Sequence, residues 1–115
     1  MARGIVRNWR AIIDGNLSTA IESDYTDAAF LDKGRVLVEW SGADATNAQI
    51  VVEISNDKEN WRSIISSPIV LNSTSGSHEI AFPLIDFGYM RFRTVPNTVT
   101  SGTINVSFSA STEGR

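Results

Sequence analysis

The chain contains no cysteine, so no disulfide staples the fold and no thiolate can serve as nucleophile or metal ligand. This absence leaves the redox compartment open, because cytosolic proteins and disulfide-free extracellular ones share it. There is a single histidine, His78, which excludes a histidine-rich metal site and gives a Ser-His-Asp triad only one base to use. His78 lies between Ser77 and Glu79, and adjacent residues in a strand point to opposite faces. It therefore reads as a solvated histidine near a loop. Glycine-rich phosphate loops are absent, and no apolar run approaches the roughly 20 residues that span a bilayer. The opening MARGIVRNWRAII is basic but lacks the apolar stretch and cleavage site of a secretory signal. The expectation is a protein made and folded in a cytoplasm.

What is present is ordinary for a globular domain: 115 residues, 42% hydrophobic and 20% charged. The net charge of −3 is unevenly spread: Arg3, Arg7 and Arg10 are the only charged side chains before Asp14, so the first thirteen residues carry +3 and the remainder −6. A mildly acidic body does not suit nucleic-acid binding, which relies on many phosphate contacts. A basic arm on an acidic body suits contact with an acidic neighbour; solvated arginines at a loose terminus are the plainer alternative.

The strongest pattern spans residues 35–61, RVLVEWSGADATNAQIVVEISNDKENW. Val36, Val38 and Trp40 fall on one face of a first strand (35–41), and Ile50, Val52 and Ile54 on one face of a second (49–55). Period-two alternation marks half-buried antiparallel strands, and SNDKEN supplies side chains that close a turn. Further candidate strands are STAIES (18–23), YTDAAFL (25–31), 61–65 and 69–71, the last followed by an NSTSGS loop at 72–77. The chain then alternates over 78–84 (Ile80, Phe82 and Leu84 on one side), 89–95 (Met90 and Phe92 against Tyr89, Arg91 and Arg93) and 103–110. In that last strand Ile104, Val106, Phe108 and Ala110 face in, while Thr103, Asn105, Ser107 and Ser109 face out. Residues 1–17 show no clear period; Ile5, Trp9, Ile12 and Ile13 would share a helical face or suit an extended arm.

Seven or eight short strands without a convincing long helix predict an all-β protein: a single antiparallel β-sandwich, jelly-roll or immunoglobulin-like, with an N-terminal arm. A small closed barrel is the runner-up. The expected organisation is an arm over 1–17, the sandwich over 18–112 and a tail over 113–115. Trp40 and Trp61 are expected as core anchors. With about 1.5–3 kcal/mol for each large side chain fully buried, more than a dozen inward residues offset the ordering entropy without metal or disulfide.

Chemistry-bearing clusters are few. The carboxylate pairs Asp24/Asp27 and Asp57/Glu59 lie in turn-like sequence, where acids bond local backbone. SNDKEN is oxygen-rich but lacks the spacing of a calcium loop. Neither a catalytic residue nor a cofactor is expected. On the outward faces, Glu39 and Glu53 would pair with Arg91 and Arg93 if their strands are neighbours. Tyr89, Arg91 and Arg93 also form a candidate contact patch, since Tyr and Arg are enriched at interfaces. Arg3, Arg7, Trp9 and Arg10 form a second candidate: guanidinium groups bind carboxylates bidentately and a tryptophan can fill a partner's pocket. The alternative for Trp9 is to fold back onto its own sandwich.

Two resemblances rest on these residues. EISNDKENW (53–61) followed by YMRFR (89–93) looks like the strand–turn–Trp and aromatic-x-Arg pattern of discoidin-like carbohydrate- or lipid-binding sandwiches, which are longer and carry exposed loop aromatics. The whole layout, from S-x-x-I-x-x through VEWSG, VEISNDKENW and YMRFR to TSGTINVSFSAS, resembles small β-sandwich structural proteins of tailed bacteriophages over residues 18–111. That resemblance implies a non-enzymatic virion component, a capsid decoration protein first, with a tail or neck accessory protein or a carbohydrate-binding adhesion module as alternatives. The implied partners are capsid or other virion proteins, with homo-oligomerisation admitted, and neither nucleic acid nor membrane.

Overall fold

The computed structural model describes residues 6–27, 33–64, 68–83 and 88–111. They form nine strands: β1 (Val6–Asn16), β2 (Glu22–Asp27), β3 (Lys33–Ser41), β4 (Ala48–Ser55), β5 (Arg62–Ser63), β6 (Ile69–Leu71), β7 (Gly76–Pro83), β8 (Tyr89–Val95) and β9 (Thr103–Ser111). One sheet has the order β1-β9-β3-β7 and the other β2-β8-β4-β5, with β6 also beside β4. Every pairing is antiparallel. β5 lies along the 53–54 end of β4 and β6 along the 48–50 end, so together they fill one strand position. Successive positions cross from one sheet to the other at every step except β4 to β5/β6, which stays within a sheet. This is the order of a jelly roll, and it decides between the two sandwich types expected from the sequence.

The core lies between the sheets and follows the alternation. Val36, Val38, Ile50, Val52, Met90, Phe92, Ile104, Val106 and Phe108 are almost completely buried. Phe92 of β8 meets Phe108 of β9 with ring centroids 6.3 Å apart, joining the middles of the two sheets. Trp40 is buried and its Nε1–H donates to the Ser73 carbonyl at 2.8 Å, satisfying the one polar atom its ring brings inside.

Two expectations change at the N-terminal side. Residues 6–16 do not stand off as an arm: β1 pairs along β9 from Val6↔Ser111 to Asn16↔Thr103. Register shifts at Arg10/Ile12 and Ile12/Gly15 blur its period, which is why alternation could not reveal it. Asp14 takes a positive φ of 49° there, and its N–H donates to Asn105 Oδ1 at 2.8 Å, replacing a lost ladder bond. Second, β2 straddles the two expected strands at 18–23 and 25–31. Residues 17–19 turn instead, with Thr19 N–H donating to the Asn16 carbonyl and Leu17 fully buried. The β2 bulge between Glu22 and Tyr25 is closed by the Ser23 hydroxyl, which accepts from Phe92 N–H at 2.8 Å. Residues 28–32, Leu84 and the tail at 113–115 lie outside the described residues.

One end of the sandwich is knitted by polar groups. Thr100 bonds Asp44 through both its N–H and its hydroxyl. Asn97 Nδ2 donates to the Asn47 carbonyl, and Ser101 Oγ to that of Gly42. Gly102, at φ 121°, brings its backbone so close that a Cβ would stand 3.0 Å from the Ser41 carbonyl oxygen. Gly102→Ala should therefore destabilise by about 1–3 kcal/mol through strain, and Phe92→Ala by about 3–5 kcal/mol through the cavity left. Urea unfolding midpoints against the wild type check both.

Candidate interaction surface

The outer face of β2-β8-β4 carries the most organised set of side chains. β8 presents Tyr89, Arg91 and Arg93 outward, alternating with the buried Met90, Phe92 and Thr94. Pairing sets Arg91 between Tyr25 of β2 and Glu53 of β4, and Arg93 beside Glu22 and Val51. Arg91 Nε donates to Glu53 Oε1 at 2.9 Å, its Nη1 lies 3.3 Å from Glu22 Oε1, and Arg93 Nε lies 3.6 Å from Glu53 Oε2. The Glu53 carboxylate is thus shared by two arginines, with its side chain only 10% exposed. Of the cross-strand pairs expected from the sequence, Glu53 forms with Arg91 and Arg93; Glu39 lies in the other sheet, on β3.

Three aromatic rings complete the face. The Arg91 guanidinium sits 4.2 Å from the Trp61 ring centroid, so it is held between that ring and the two glutamates. Tyr25 packs edge-on against Tyr89 at 5.6 Å and tilted against Trp61 at 6.3 Å. Lys58 Nζ lies 5.2 Å from the Tyr25 ring and 4.8 Å from the Tyr89 ring, within cation–π range. A hydrogen bond with Tyr25, followed by electrostatic interaction with Tyr25 and Tyr89, raises the Lys58 ammonium above its usual pKa.

The turn that delivers Lys58 and Trp61 is built on Asp57. Its carboxylate accepts from Glu59 N–H, Asn60 N–H, Asn60 Nδ2 and the Ser55 hydroxyl at 2.7–2.9 Å. The Asn60 and Glu59 backbone bonds lead the causes that pull the Asp57 pKa far below the usual 3.8. Lys58 itself adopts a positive φ of 67°, and Trp61 Nε1–H donates to the Lys58 carbonyl at 3.1 Å. This is the local backbone bonding expected of the turn's acids, made by Asp57. Asp24 and Asp27, expected in a turn, lie in β2.

The seven candidate contact residues do not form one site. Tyr89, Arg91 and Arg93 share this face. Arg10 is exposed on the opposite sheet, where it lines a depression of about 610 Å³ together with Trp9, Asn8, Arg35, Glu79 and Ser107. Trp9 is half-buried and packs against its own core, with its ring 5.9 Å from Phe92. Arg3 and the Arg7 side chain lie outside what the structure describes. Sequence reasoning missed Tyr25 and Lys58 and expected Trp61 in the core. Trp61 is instead a half-exposed surface ring, because it follows a turn whose path no strand period governs. Among the described residues, no group of three or more His, Cys, Asp or Glu could hold a metal ion, and no helix is long and apolar enough to cross a membrane.

No protein-family model and no curated protein sequence matches the chain. Its fold, however, is shared with solved structures. The SPBc2 prophage-derived protein YomS is 11% identical with a TM-score of 0.64, the match covering 97% of both chains. VP2 of infectious bursal disease virus, in its subviral particle, is 9% identical with a TM-score of 0.62, over 97% of this chain and 33% of that one. A chain from the infectious bursal disease virus Gt strain is 12% identical with a TM-score of 0.61, over 97% and 32%. The chain thus spans the whole of the prophage protein and about a third of the viral chains.

Two outcomes follow from the charged network. Glu53→Ala leaves two arginines facing each other without their shared acceptor and should cost about 1.5–3 kcal/mol; the exposed Glu39→Ala should stay within about 0.5 kcal/mol. Denaturant titration distinguishes them. For Asp57, folding lowers the pKa, so the unfolded state binds more protons at acid pH and stability falls as the pH drops below about 4. Asp57→Asn lacks this loss. Its melting temperature should lie below the wild type's at about pH 6, with the gap narrowing toward about pH 2.

Proposed function

We propose that this chain is a non-enzymatic structural protein of a bacteriophage virion, acting as a capsid decoration protein that stabilises the shell. The observation that carries this reading is the end-to-end fold match with a prophage-derived protein, seconded by the match to VP2 in a viral particle. The surface supports it. Tyr, Trp and Arg are the residues that dominate protein–protein contacts, and Tyr25, Trp61, Tyr89 and Arg91 are held in place by ion pairs and cation–π contacts. Such preorganisation lowers the entropy lost on binding. In this reading Arg93, with its side chain 40% exposed, meets acidic groups of the shell. Arg3 and Arg7 add a basic segment, and many copies add modest contacts through avidity. A tail or neck position is the variant within the same class.

A carbohydrate-binding adhesion module is the second reading. It is favoured by one observation: Tyr25, 44% exposed, clusters with Trp61 and Tyr89 on a single face, as sugar-stacking rings do.

The test is co-sedimentation with purified phage particles lacking this protein. The wild type should sediment with the particles, and Tyr25→Ala/Trp61→Ala should bind at least about tenfold more weakly while keeping its melting transition. Deleting residues 1–5 together with Arg7→Ala measures the share of the basic segment. A wild type that stays in the supernatant sinks the virion reading. Glycan-array binding that the same double substitution abolishes would then establish the second one.

A further inference from the structure

Sheet edges expose unpaired backbone groups, and proteins blunt them with bulges, short strands, prolines or charges. In this chain β1 carries two register shifts and β2 one, while β5 and β6 are two and three residues long. β7 is different. Its eight residues run in unbroken register against β3, from Lys33↔Pro83 to Trp40↔Gly76. It is the last strand of its sheet among the described residues. Ser77, His78, Glu79 and Ala81 are exposed and Ile80 is half-buried. The strand contains no lysine or arginine, and its one proline stands at the end.

We infer that β7 is the edge by which two copies of this chain join, pairing antiparallel about a twofold axis at Ile80. That register sets Ile80 against Ile80 of the second copy, extending the apolar layer, and Glu79 against the second copy's Ala81. Centring on Glu79 or on His78 would set identical ionisable groups opposite each other. The charges fit the Ile80 register. Arg35 of β3 lies directly beside Ala81, and the second copy's Glu79 would lie on Ala81's far side. Arg35 and that Glu79 are then two strand spacings apart, about 10 Å, with only the Ala81 methyl between them. An extended arginine and glutamate together cover that span. Within one copy these two side chains already form a loose ion pair, with Arg35 Nε 3.6 Å from Glu79 Oε1. With the side chains 61% and 53% exposed, so solvated a pair contributes little and can be exchanged for the contact across the axis. A twofold repeats the pair, so one self-complementary patch forms two salt bridges.

Sedimentation velocity over a concentration series tests this, whatever the protein's role in a virion. The wild type should show a monomer–dimer equilibrium. Ile80→Lys should raise the dimer dissociation constant at least about tenfold, because two like charges would meet on the axis. Glu79→Arg and Arg35→Glu should each weaken the dimer about three- to tenfold, and the double reversal should return it to near the wild-type value. Thermal melts verify that each variant folds. A wild type that stays monomeric to about 1 mM, a dimer indifferent to Ile80→Lys, or a double reversal no better than the singles each overturns the inference.

Discussion

The contact of Phe92 with Phe108 is the constraint on which the rest of the molecule hangs. These rings sit on β8 and β9, interior strands of the two sheets, and Trp9 closes against Phe92 from β1. β9, the last strand, is also the only described strand that links β1 to β3. The first sheet therefore has no pairing between consecutive strands. Its assembly waits for the chain's final segment to find the middle, a high-contact-order arrangement whose loop-closure cost is repaid only when the core closes. The local exception is the β4–β5 hairpin in the other sheet, closed by the self-bonded Asp57 turn.

The outward faces inherit their character from this packing. Where β8 buries Met90, Phe92 and Thr94, its alternate positions carry Tyr89, Arg91 and Arg93 to the surface. Pairing with β4 then brings Glu53 under both arginines, so a carboxylate with little water access is compensated at once by its strand neighbours. The aromatic rings lean on the same cations. The surface patch and the folded core are thus two sides of one strand, and a change in β8 register would dissolve both. The opposite sheet has a different use for its exterior: polar side chains over β9 and β3, ending at the regular edge of β7.

Much of the interior was legible in the residues alone. Val36/Val38/Trp40, Ile50/Val52/Ile54, Met90/Phe92 and Ile104/Val106/Phe108/Ala110 all lie inside as their alternation requires. Half of the aromatic–cation face was legible too, since Tyr89, Arg91 and Arg93 occupy the other side of an inward-facing strand. The failures share a cause. β1 and β2 are bulged, and each bulge shifts the period by one residue, so a pattern with two phases reads as none. Trp61 was expected inside because large aromatics usually are, yet it belongs to a turn, where burial is decided by what passes overhead.

By itself, then, the sequence determined which side of each regular strand faces the core, that the chain is all-β, and that the SNDKEN segment closes a turn. These are local properties: the pleat alternates with a period of two whatever the neighbouring strand is. Only the tertiary structure decided that the sandwich is a jelly roll, that residues 6–16 are an edge strand of it, and that residues 22–25, 53–61 and 89–93 converge on one face. It alone decided that β7 is, among the described residues, the last strand of its sheet, in unbroken register with β3. Those outcomes depend on which distant segments pair, and strand order is chosen by the joint burial of the whole core rather than by any one segment's pattern.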